Sequence, residues 1–113
     1  EILKNKNINC IDYKKISIID LTIHKYNKNE GKFTYHSDEM SIDNDKKKRF
    51  ITFIWYLNDL EEGGETEFFG SYKIKPKTGK LIFFPSDPLF IHCAKMPLSS
   101  DKYILSGWIY KDN

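Results

Sequence analysis

The chain is 113 residues long, 40% hydrophobic and 15% aromatic, with charged residues at 30%. That is the size of one ordinary domain and the composition of a folded, water-soluble protein rather than a disordered one. Eighteen basic residues against 16 acidic ones leave a formal net charge of +2, too balanced to argue for nucleic acid or an anionic membrane as a partner.

In chain order, residues 1–15 mix Asn, Lys and Ile without a clear period and leave room for a short helix. Ile16 to Tyr26 is rich in β-branched residues and partly alternating, as expected of a strand with one buried face. Asn27 to Gly31 reads as a turn and Phe33 to Asp38 as a short strand. Ser41 to Lys48, where Asp43-Asn44-Asp45 precedes three lysines, reads as a solvated loop. Phe50 to Leu57, opened by Arg49, is the strongest strand, apolar on both faces and so expected at the centre of a sheet.

The acidic stretch Asn58 to Gly64 turns the chain, and Gly63-Gly64 is free to adopt the positive φ of a tight turn. Glu65 to Phe69 and Ser71 to Lys75 form two short strands joined at Gly70. Pro76 to Gly79 is a turn, followed by strands at Lys80 to Phe84, Leu89 to Cys93 and Lys102 to Tyr110. The sum is about eight short strands in one all-β domain, residues 1–113 with a core over about 16–110, arranged as a sandwich, jelly roll or barrel.

The longest apolar run, Phe50 to Leu57, is far too short to span a bilayer, and no stretch reads as a secretory leader. Compartment and oligomeric state are not fixed by these features. Cys10 and Cys93 lack the spacing of a zinc site, so free buried thiols are expected and a bridge stays open.

The chemistry-bearing stretch is Tyr35-His36-Ser37-Asp38, with His92 on a separate strand. Residues two apart on a strand share a face, so His36 and Asp38 bring an imidazole and a carboxylate together. Two His and one carboxylate are the facial triad of non-haem Fe(II) oxygenases, which leaves coordination positions open. Taken alone, the three residues read more readily as ordinary surface residues, because short motifs recur by chance. Cys93 should point away from His92 and is not counted as a ligand.

Beyond the triad, the chain resembles the prolyl 4-hydroxylase-like branch of the Fe(II)- and 2-oxoglutarate-dependent oxygenases. The resemblance covers roughly residues 19–110. It rests on Tyr26, Gly31, His36-Ser37-Asp38, Arg49, the block from Tyr56 through Glu61-Glu62-Gly63-Gly64-Glu65-Thr66, Lys75 to Gly79, His92, Lys102 ten residues beyond it, and Trp108-Ile109. It implies a double-stranded β-helix, a jelly roll of eight strands. It implies Fe(II) held by His36, Asp38 and His92, and 2-oxoglutarate with its far carboxylate paired to Lys102, where an ammonium acts as a weakly screened point charge.

Dioxygen is the oxidant in that family, ascorbate an accessory reductant, and succinate and carbon dioxide the coproducts of hydroxylation. Thr66 and Tyr56 would offer hydroxyls near the far carboxylate. Tyr26 and Trp108 would wall the pocket, or serve as core aromatics. Arg49 matches a substrate-groove position, or pairs with an acid. The implied substrate is a peptidyl proline, with a peptidyl lysine next; a non-catalytic jelly-roll metal-binding module is the competing class. Asp38 is a carboxylate where a halogenase would carry a small residue, which favours hydroxylation. Phe33 stands where these enzymes tend to have Tyr, and Gly107 where they often have Lys or Arg. With a short loop from Glu39 to Lys48, and the helical N-terminal support of larger members missing or cut away, these departures bear on the target rather than the reaction.

Overall fold

The computed structural model describes residues 16–113, Ile19 and Asp20 by their backbone alone. The region proposed for a short helix, and Cys10 with it, lies outside the described residues. Among the described residues nine strands follow one another: β1 (Ile16–Tyr26), β2 (Phe33–His36), β3 (Ser41–Ile42), β4 (Lys47–Tyr56), β5 (Thr66–Phe68), β6 (Tyr72–Ile74), β7 (Leu81–Pro85), β8 (His92–Ala94) and β9 (Lys102–Asp112). They form two antiparallel sheets. In the larger, β9 lies between β1 and β4, and the far edge of β4 carries β3 and β7 end to end. The smaller runs β2-β8-β5-β6. The two sheets face each other as a jelly roll, and no helix among the described residues is long and apolar enough to cross a membrane.

The core lies between the sheets. Ile54, Tyr56, Phe84 and Ile104 of the larger sheet meet Phe68 of the smaller, with Phe68 and Phe84 edge to face at 4.9 Å between ring centroids. Tyr56 is fully buried, and its hydroxyl is satisfied by Thr66 Oγ1 at 2.5 Å, which removes the cost of an unpaired buried hydroxyl. β4 is central, as its apolar character implies, but it is not buried on both faces. Trp55 is exposed, as are its outer-face neighbours Ile23, Leu81 and Phe83. On that outer face a Cβ at Gly107 would fall 2.7 Å from the Phe53 ring and 2.9 Å from Leu21. Glycine stands there because the two side chains close over it.

Three boundaries differ from the sequence reading. The stretch Ser41 to Lys48 is a hairpin rather than a loop, because Asp43, Asn44 and Asp45 take φ of 55°, 52° and 64°, a region Asn and Asp tolerate better than most residues. β2 ends at His36, so Asp38 stands beyond the strand. β8 begins only at His92, since Leu89 to Ile91 loop around the Asp87 carboxylate, which accepts from the Leu89 N–H at 2.8 Å.

The turn before β5 sets where Thr66 enters the sheet. Gly63 has φ 76°, and a Cβ there would lie 2.4 Å from the Met96 carbonyl oxygen, whereas Gly70 has φ 75° and open space around it. Both substitutions to Ala incur the left-handed penalty of about 1–2 kcal/mol; only Gly63→Ala adds a backbone clash. Thermal melts should show Gly70→Ala lowered by roughly 4–10 °C and Gly63→Ala lowered by clearly more. Equal shifts would mean that the Met96 carbonyl yields.

Candidate functional site

The last residue of β2 and the first of β8 sit opposite each other in the smaller sheet, which pairs His36 with His92 directly. Their rings lie 4.4 Å apart between centroids. Each is oriented by the same local device. His36 Nδ1 lies 2.6 Å from the Thr34 carbonyl oxygen, and His92 Nδ1 lies 3.0 Å from the Phe90 carbonyl oxygen. A carbonyl only accepts, so both Nδ1 atoms carry the proton and both Nε2 lone pairs are left free. These nitrogens point at one oxygen: Asp38 Oδ1 is 3.2 Å from His36 Nε2 and 3.6 Å from His92 Nε2.

Three acceptors aimed at a common point repel one another unless a cation stands among them. The three ligand atoms lie within 4.8 Å of each other, and one hard oxygen with two imidazoles suits a divalent transition metal. Burial pushes the His92 pKa below the ordinary imidazole range, only partly offset by the Phe90 carbonyl and Asp38, which keeps the ring neutral and able to ligate. Phe33, Phe68 and Phe84 pack on the two imidazoles and give the site apolar walls.

The triad opens into a cavity of about 420 Å³ whose lining includes Phe33, Met40, Thr66, Lys102, Ile104 and Trp108, a volume typical of small-molecule sites. Lys102 opens β9 and is 1% exposed. Among the described residues no carboxylate reaches it within salt-bridge distance; its Nζ lies 5.0 Å from the Tyr26 ring centroid and 5.7 Å from that of Tyr56. Burial lowers its pKa from 10.5 to about 8, with Glu65 pulling the other way. A buried ammonium without an acid is costly, and this one lines the same cavity as the triad. A small dianion that binds the ion at one end and Lys102 at the other would fit both features.

Of the remaining sequence candidates, Tyr26, Thr66, Trp108 and Arg49 line the cavity, whereas Tyr56 sits behind Thr66 and is fully buried. Arg49 is committed to its neighbours. Its guanidinium lies 3.6 Å from the Trp108 ring centroid, its Nη1 donates to the Asp38 carbonyl at 3.3 Å, and its Nε donates to the Tyr110 hydroxyl at 3.2 Å. Cys93 faces away, with Sγ 3.9 Å from Glu67 Oε2.

The sequence reading passed over Thr52, Ser86, His24 and Ser106. His24, Thr52 and Ser106 line the cavity, and Thr52 Oγ1 donates to Asp38 Oδ2 at 2.8 Å. Its signal was available, as the one aliphatic hydroxyl in the apolar run Phe50 to Leu57. Ser86 had none, because it lies in a turn and is brought in by folding.

A family model of the 2OG-Fe(II) oxygenase superfamily matches residues 21–110. No curated protein gives a significant sequence match. Among solved structures, the 2OG complex of viral collagen prolyl hydroxylase vCPH from Paramecium Bursaria Chlorella virus-1 is 30% identical with a TM-score of 0.79, over 99% of this chain and 68% of that one. A Pseudomonas putida prolyl-4-hydroxylase is 22% identical with a TM-score of 0.64, over 85% of this chain and 55% of that one. A Trichoplax adhaerens prolyl hydroxylase, solved with a hypoxia inducible factor oxygen degradation domain peptide fragment, is 24% identical with a TM-score of 0.65, over 83% and 46%. The chain spans about two thirds of the viral enzyme's length and about half that of the other two, whose identity speaks for the fold alone. The chain belongs to the 2OG-Fe(II) oxygenase superfamily, whose dioxygenase chemistry uses Fe(II) and 2-oxoglutarate.

Proposed function

We propose that this chain hydroxylates a C–H bond of a peptidyl proline, with His36, Asp38 and His92 holding Fe(II) and Lys102 holding the far carboxylate of 2-oxoglutarate. The observation that carries the reading is the pairing of a three-acceptor focus with an unpaired buried ammonium in one cavity. When bound, Fe(II) with 2-oxoglutarate supplies the oxidative decarboxylation that puts one atom of dioxygen into succinate and the other into the target C–H bond. Peptidyl proline is favoured by the 30% identity to the viral collagen prolyl hydroxylase. The half-exposed Phe33 and Met40 on the lining are an apolar surface suited to a pyrrolidine ring.

The protein residues have distinct tasks in this reading. Two neutral imidazoles and one carboxylate leave a divalent ion with a residual positive charge that attracts the keto-acid end of the cosubstrate. Lys102 neutralises the other carboxylate and sets its distance from the ion. Thr66 offers a hydroxyl beside it, and the Tyr56 hydroxyl fixes the Thr66 rotor. Tyr26 and Trp108 exclude water, which strengthens each of these charge contacts. Arg49 supports the wall facing the peptide.

Anaerobically loaded protein given 2-oxoglutarate, a proline-rich peptide and then oxygen should form succinate in step with a 16-dalton gain on proline. Succinate with the gain on a lysine-containing peptide instead would move the target to lysine. No succinate from folded protein would leave a binding module. His36→Ala and Asp38→Ala should each bring turnover to background.

Lys102 gives the cosubstrate site a pH signature. Its ammonium is present below about pH 8, so 2-oxoglutarate affinity of the Mn(II)-loaded protein should be constant below that pH. Above it, binding must take up a proton, and Kd should rise by about tenfold per pH unit. Lys102→Arg, which does not titrate there, should flatten the profile. The unliganded fold responds with the opposite sign. A lysine pKa lowered on folding is a burden on stability at low pH, relieved as pH rises from about 8 towards the unfolded value. Lys102→Met should therefore abolish 2-oxoglutarate binding while leaving the unliganded protein as stable or more so; loss of stability in calorimetry would contradict the unpaired-ammonium reading.

A further inference from the structure

The Asp38 carboxylate is treated asymmetrically by its surroundings. Oδ1 faces the two Nε2 atoms. Oδ2 receives the Thr52 hydroxyl at 2.8 Å and the Trp108 indole N–H at 3.3 Å. A carboxylate oxygen has about two lone-pair directions, and these two donors occupy both. Oδ2 has none left for an ion.

We propose that Thr52, seconded by Trp108, is a positioning residue that restricts Asp38 to ligation through Oδ1 and so keeps a coordination position free for the cosubstrate. This rests on the metal reading given above.

The direction of each hydrogen bond follows from chemistry. An ionised carboxylate only accepts, so the single Thr52 proton goes to Oδ2. The 2.7 Å contact between Thr52 Oγ1 and Ser86 Oγ must then be donated by Ser86. The relay runs from Ser86 to Thr52 to Asp38, and Thr52 and Ser86 are each 2% exposed, so water does not compete for either hydroxyl. Thr52 and Trp108 are cross-strand neighbours on β4 and β9, which fixes their spacing by the sheet. Arg49 clamps the second donor, since its guanidinium stacks on the indole and its Nη1 holds the Asp38 main chain.

A merely structural threonine would behave differently from a positioning one. Thr52→Val keeps the shape and removes the proton; Thr52→Ser keeps the proton. Trp108→Phe keeps a ring for Arg49 and removes the N–H. The readouts are Co(II) affinity, the visible spectrum of the Co(II) protein and the 2-oxoglutarate affinity of that protein. Hydrogen bonds behind a ligand are worth roughly 10–100-fold in metal affinity.

Thr52→Val should weaken Co(II) binding within that range, alter the spectrum as the freed Oδ2 turns to the ion, and weaken 2-oxoglutarate further. Thr52→Ser should restore all three, and Trp108→Phe should follow Thr52→Val to a smaller degree. Unliganded melting temperatures identify any variant that fails to fold, and the Ser and Phe variants then decide. Wild-type affinity and spectrum in Thr52→Val, or no recovery in well-folded Thr52→Ser, would overturn the proposal while leaving the metal reading intact. A wild-type protein that binds no Co(II) would overturn both.

Discussion

Three acceptor atoms that cannot satisfy one another are the constraint around which this molecule is built. His36 and His92 are locked with Nε2 outward by main-chain carbonyls two residues earlier in the chain, and Asp38 Oδ1 is aimed into the gap between them. Without a cation the arrangement is repulsive, so the scaffold must hold it against that force. It does so by recruiting both sheets. The imidazoles belong to the smaller sheet, while the carboxylate is tied to Thr52 and Trp108 of the larger one. An ion held at this point would join the two layers of the jelly roll and couple metal binding to the packing of the sheets.

The second unfavourable feature is of the opposite sign. Lys102 is buried at the start of β9 with no carboxylate in salt-bridge distance among the described residues, and its lowered pKa records what desolvation costs the ammonium. A site that binds a dianion needs positive charge already in place, because charge fixed beforehand needs no reorganisation on binding. The fold thus stores two electrostatic conflicts, negative at the triad and positive at Lys102. In the function proposed here, one metal and one cosubstrate would resolve both. Such sites reduce the stability of the unliganded chain in exchange for function.

Elsewhere the packing is conventional, and it explains two oddities of the sequence. Gly107 is where it is because Phe53 and Leu21 close over it on the outer face of the larger sheet. Cys93, beside His92 in sequence, faces away from the cavity; the strand sends its thiol to the far side of the sheet against Glu67, which Lys95 pairs at 2.7 Å. Each sits next in sequence to a residue that lines the cavity, His92 or Trp108.

The sequence by itself determined the all-β class, the central place of β4 and the triad His36, Asp38 and His92 as a candidate ion site. Those follow from local rules: β-branched alternation, turn residues and the types of side chain a metal requires. It did not determine that Ser41 to Lys48 folds into a hairpin, because left-handed Asp and Asn residues are weakly encoded. Nor did it show that Asp38 leaves its strand and is caught by the other sheet. Thr52 and Ser86 are 34 positions apart, and only the pairing of β4 with β7 brings them together. The same holds for the lack, among the described residues, of a carboxylate within salt-bridge distance of the Lys102 ammonium, since that is a property of three-dimensional neighbours and not of any stretch of chain.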